Sequence, residues 1–81
     1  MQPNDLLERI TFRQDVFGGK PIIRNMRISV ETILSLLSQR QTTESILADY
    51  PELEPDDILA CIVYAHRIIA NDRLDEIRVA S

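Results

Sequence analysis

The sequence predicts a mainly α-helical domain with a short β element ahead of its helices. Three observations predict it. Within residues 10–30, two short runs, 10–13 and 27–30, alternate apolar and polar side chains on either side of a glycine pair and a proline. From Val30 the apolar period changes to that of a helix, and residues 55–71 hold an apolar run longer than two turns. With 81 residues the chain supports one core, so residues 1–81 are expected to form a single domain. A domain of this size hides only roughly 60–65% of its unfolded surface and often gains from a partner.

Residues 1–8 suggest a frayed or helical start. Ile10 and Phe12 alternate with Thr11 and Arg13, the period of a short strand. Gly18-Gly19 marks a turn, and Pro21-Ile22-Ile23 runs extended because proline fixes φ. Asn25 tolerates the left-handed region, so a tight turn is expected there. Arg27 to Val30 alternates again, giving two or three short strands in a β element over residues 10–30.

A three-helix core is expected over residues 30–71. Val30, Ile33, Leu34 and Leu37 form an i, i+3, i+4, i+7 stripe with Ser29 as N-cap, predicting a helix from Val30 to Gln39. Thr42 caps a second helix with Ile46, Leu47 and Tyr50 inward, and Pro51 stops it. Pro55 suits the first position of a third helix reaching about Asn71, with Asp56 and Asp57 at its positive dipole end. Its middle, Ile58 to Ala65, is apolar on every side and predicts a central helix covered by several neighbours. A subunit contact through Leu59, Ile62 and Val63 would supply missing cover, in a homodimer or higher homo-oligomer. Residues 72–81 read as a polar tail.

The order of a first helix, a short second and a longer third is that of a homeodomain-like helix-turn-helix. The start of the third helix would enter the major groove, yet it reads Glu54-Pro55-Asp56-Asp57, with nothing to read a base edge. Charge is divided along the chain: residues 1–40 carry six bases and four acids (+2), residues 41–81 three bases and nine acids (−6). Any nucleic-acid contact must come from the N-terminal half. There Arg13, Lys20, Arg24 and Arg27 could grip operator DNA or a partner, or pair with the acidic half of this chain or of a second copy. Glu52, Glu54, Asp56 and Asp57 form an acidic surface suited to a basic protein partner.

Enzyme chemistry finds no support, and no catalytic residue, cofactor or metal site is predicted. His66 is the only histidine and has no partner in a nucleophile motif. Cys61 reads as a core hydrophobe, and one Cys with one His cannot close a zinc site. Asp56 and Asp57 point ~100° apart on a helix, so they do not share a site. Gly18-Gly19-Lys20 fails as a phosphate loop, because Gln14 and Pro21 occupy its remaining motif positions. A single cysteine, a polar start from Met1 to Asp5 and no ~20-residue apolar run predict a cytoplasmic protein without membrane contact.

Gly19-Lys20-Pro21-Ile22-Ile23-Arg24, Arg27-Ile28-Ser29-Val30 and Ile46-Leu47-Ala48-Asp49-Tyr50-Pro51-Glu52-Leu53, followed by Asp57-Ile58, resemble the bacterial family known as domain of unknown function 433. The resemblance covers about residues 10–66. Asn25 stands where that family usually has glycine, and Arg40 stands near a usual glycine, predicting a less sharply capped first helix. The resemblance implies a homeodomain-like helical domain with an N-terminal β element. It also implies a VapB-type antitoxin partnered with a PIN-like ribonuclease toxin, commonly a dimer on its own operator. The matching positions it points to are Lys20, Arg24, Arg27 and Tyr50. The leading expectation is therefore an antitoxin-like binding module; the alternatives are a DNA-binding autorepressor and a homo-oligomeric structural protein.

Overall fold

A computed structural model describes residues 3–71; the tail expected at residues 72–81 lies outside them. The chain is mainly helical with a two-stranded antiparallel ribbon, as predicted. In order it forms α1 (Pro3–Leu7), β1 (Ile10–Phe12), a single 3-10 turn at Phe17–Gly19 and β2 (Pro21–Ile23). Helices α2 (Val30–Ser38), α3 (Thr43–Asp49) and α4 (Pro55–Ala70) follow.

In the ribbon, Ile10 lies opposite Ile23 and Phe12 opposite Pro21, with proline at the end where its missing donor is tolerated. Ile10 and Ile23 enter the main core, while Ile22 faces the other way and is equally buried. The alternating run from Arg27 to Val30 does not extend the ribbon beyond one bridge, Ile22 to Ser29. The pairing ends there because α2 begins immediately after Ser29. Its hydroxyl accepts the Thr32 N–H at 3.0 Å as the N-cap of α2, and the helix starts at Val30.

Two left-handed turns shape the segment between the strands and α2. Phe17, Gly18 and Gly19 all have positive φ, and a side chain at Gly19 would come within 3.0 Å of the Gln14 amide nitrogen. At the second turn Asn25 adopts φ 61°, as expected, but Arg24 is left-handed too, at φ 44°. The turn is held by three hydrogen bonds: Met26 N–H donates to the Ile23 carbonyl, Arg24 N–H to the Arg9 carbonyl and Asn25 N–H to Thr11 Oγ1, each at 2.8 Å.

The end of α2 corrects an expectation. Arg40 takes φ 73° in place of a glycine, and the end is nevertheless fully capped. Its N–H donates to the Leu37 carbonyl at 3.0 Å and the Gln41 N–H to the Leu36 carbonyl at 3.1 Å, the paired bonds of a Schellman motif. Thr42 caps α3 by accepting the Ser45 N–H at 3.1 Å. Pro55 opens α4 and Asn71 closes it, as the sequence predicts.

Helices α1, α2 and α3 and strand β1 all pack on α4. The core gathers Leu6, Ile10, Ile23, Val30, Ile33, Ile46, Leu53, Ile58, Ala60 and Cys61. Each large aliphatic side chain buried here contributes roughly 1.5–3 kcal/mol. The expectation that α4 is covered all round does not hold: in its N-terminal half Ile58, Ala60 and Cys61 are buried while Leu59 is exposed. Beyond Cys61 the helix outruns its neighbours, leaving Ile62, Ile68 and Ile69 exposed.

Candidate interaction surface

The first turn of α4 holds a buried carboxylate gripped from the N-terminal ribbon. Asp57 has no exposed surface. Arg24 meets it in a two-point fork, Nε to Oδ1 at 3.0 Å and Nη2 to Oδ2 at 2.8 Å. Arg9 Nη1 donates to Oδ1 at 2.9 Å, and the Glu54 N–H donates to Oδ2 at 2.8 Å, the returning arm of a capping box. Burial pushes the Asp57 carboxyl up, but Arg24, the Glu54 N–H and Arg9 outweigh it and hold the group below the usual carboxylate range. The left-handed turn at Arg24 sends the guanidinium toward α4, where Nη2 also donates to the Glu52 carbonyl at 3.0 Å. Hydrogen bonding to Asp57 raises Arg24 in turn, so both partners stay ionised.

For Arg24 this arrangement realises one of the readings left open for the basic segment. Arg24 closes an internal ion pair with the acidic half of its own chain. Asp57, expected on the acidic surface, is not on it: a side chain with no exposure cannot touch a partner. Glu52, Glu54 and Asp56 remain outside. Glu54 accepts from Arg9 at 2.8 Å, and Asp56 lies 3.9 Å from the same guanidinium. Arg13 forks onto Asp15, holding that carboxyl below its usual range, and Lys20 reaches Glu31 at 3.2 Å. Arg27 is exposed and makes no ion pair among the described residues. Tyr50 is half-buried against the core. The four predicted cations therefore do not form one free basic patch.

A second feature of the described surface is apolar. A groove of about 640 Å³ runs between α2 and the C-terminal half of α4, lined chiefly by Pro21, Val30, Leu34, Tyr64, Ala65 and Ile68. Ile68 and Ile69, 53% and 72% exposed, form its lip. Tyr64 also meets the exposed Phe12 ring at 6.2 Å between centroids. Leu59 and Ile62, predicted at a subunit contact, are exposed, and Val63 is half-buried. Sequence reasoning missed Arg9 and the groove. Arg9 lies 48 positions from Asp57 with no local signal, and the groove depends on where α2 stops along α4. Cys61 is buried and its thiol is pushed up to about 12 by burial, with the Asp57 charge adding, which makes it inert. No helix among the described residues is long and apolar enough to cross a membrane.

Fold and site together define a small helical domain whose arginine-bearing turn is bolted to its longest helix. The chain belongs to the family described as protein of unknown function (DUF433), which matches residues 10–65. No curated protein and no solved structure matches it. The matched span includes the Arg24 turn, both capped helices and Asp57.

Proposed function

We propose that this chain is a non-enzymatic, antitoxin-like binding module of the cytoplasm, which neutralises a PIN-like ribonuclease by protein contact. The observation that carries the reading is the apolar groove between α2 and α4. A monomer rarely leaves large aliphatic side chains such as Ile68 and Ile69 on one exposed lip without a partner for them. An amphipathic helix of the nuclease, with anchors at i, i+3, i+4 and i+7, fits such a groove. The order α2, α3, α4 then serves as a helix-turn-helix scaffold for protein contact, since the first turn of α4 is acidic.

A second reading, an operator-binding autorepressor, draws on Arg27 alone, because Arg13, Lys20 and Arg24 are engaged within the chain. The test is co-expression with a PIN-like ribonuclease from the same genome, followed by an RNA-cleavage assay. The expected result is stoichiometric inhibition, weakened roughly tenfold or more by Leu34→Asp and by Ile68→Asp. Full cleavage in the presence of the unaltered chain would overturn the reading. Inhibition retained by both variants would move the contact to Glu52, Glu54 and Asp56.

A further inference from the structure

The outer face of α4 carries a second apolar feature, distinct from the groove. Leu59, Ile62, His66 and Ile69 recur at spacings of three, four and three residues. At ~100° per residue they share an arc of about 80°, turned away from buried Ala60 and Cys61. That is the a, d, a, d seam of a helix pair. Leu59, Ile62 and Ile69 are 46%, 45% and 72% exposed, and His66 is exposed between them.

We propose that a second copy of this chain packs its own α4 antiparallel along this seam. Three features commit the seam to a second copy rather than another partner. First, its spacing fits a helix, and this chain supplies one with the same spacing. Second, residues 58–66 contain no Asp, Glu, Lys or Arg. In a chain of net charge −4, this neutral strip is where two copies meet without repulsion. Third, Ala65 and Ala70 beside the seam are small and Val63 is short, so two helices can approach to about 8–10 Å. The concave surface bounded by Ile62, Val63, His66 and Arg67 receives a side chain of the facing helix.

Charge sets the direction. The acidic residues Glu54 and Asp56 mark the start of α4, so parallel pairing would set two negative ends side by side. Antiparallel pairing separates them by most of a 16-residue helix, about 24 Å at 1.5 Å per residue. The copies then meet with Leu59 against the partner's Ile69 and Ile62 against the partner's His66. The groove between α2 and α4 stays open in this dimer, with Ile69 at the boundary of both surfaces.

Sedimentation equilibrium over a concentration series tests the seam. The unaltered chain is expected to dimerise. Ile62→Glu weakens the dimer roughly a hundredfold, because it buries a carboxylate against aliphatics. His66→Leu tightens it roughly tenfold by removing a polar group from a core position. Ile68→Glu, on the groove side, leaves the dimer unchanged. Ile62 is exposed, so far-UV circular dichroism of Ile62→Glu is expected to match the unaltered chain. A monomer at every concentration, or an Ile62→Glu chain that dimerises as well as the unaltered one, would overturn the proposal. Direction is read by oxidising a mixture of Ile62→Cys and His66→Cys chains. Mixed disulfides are expected, and predominant Ile62→Cys homodimers would overturn the antiparallel arrangement.

Discussion

Asp57 is buried, charged and held by two arginines, so its two kinds of neighbour predict different losses. Arg24→Met leaves a buried carboxylate with one guanidinium and one N–H. That is the severe case, about 3–5 kcal/mol, since an incompletely paired charge stays in the interior. Asp57→Asn leaves two arginines whose side chains are 36% and 22% exposed and reach water, so a smaller loss is expected. Urea unfolding of the two variants checks the order. The same carboxylate sets a pH dependence. Its folded pKa lies below the unfolded value, so the unfolded chain binds the extra proton and stability rises with pH in that window. The contribution is complete above the unfolded value of about 3.9 and is lost as pH falls through the lower folded value. Unfolding free energies of the unaltered chain and Asp57→Asn are therefore expected to converge as pH drops below about 4. From the sequence, Asp57 was legible as a favourable charge at a helix start and was misplaced on the acidic surface. Its two arginines arrive from 33 and 48 positions away, and no local pattern encodes that meeting.

Helix boundaries were legible almost to the residue because their signals are local. Ser29, Thr42 and Pro55 each act within one turn of the helix they begin, and Pro51 acts on its immediate predecessor. Of the two or three strands expected, two form, and the Arg27–Val30 run stops at one bridge because the helix capped by Ser29 starts at Val30. At the end of α2, Arg40 carries a left-handed backbone that glycine adopts without strain. Arg40→Gly is expected to keep the Schellman bonds and stabilise the domain by roughly 0.5–1 kcal/mol. A thermal midpoint no higher than that of the unaltered chain would count against strain at this position. Asn25 differs, because its residue type already tolerates the left-handed region.

The faces of α4 are a property of the whole molecule. The apolar run from Ile58 to Ala65 looked uniform, yet packing buries Ala60 and Cys61 and leaves Leu59 and Ile62 outside. Composition identified the excess of aliphatic surface; only the lengths of α1, α2 and α3 decide which part stays uncovered. The character of that surface makes a further prediction. A contact built on Leu34, Tyr64 and Ile68 is driven by apolar burial, so raising salt is expected to leave partner affinity nearly unchanged. A contact through Glu52, Glu54 and Asp56 would instead weaken steeply with ionic strength. Titration calorimetry at low and high salt separates the two, and a large salt dependence would displace the groove from the model of partner binding.

The clamp on Asp57 has one more consequence, in the order of assembly. During synthesis Arg9 and Arg24 emerge first, and the carboxylate they grip emerges 48 and 33 residues later. Until the first turn of α4 leaves the ribosome, the ribbon has neither its anchor nor the helix that covers it. The domain therefore closes late and from its far end, the entropy of a long loop being recovered only at that step. A nascent chain stalled before residue 57 should be digested by protease along the entire ribbon. One stalled on a C-terminal extension long enough to bring α4 out of the tunnel should resist.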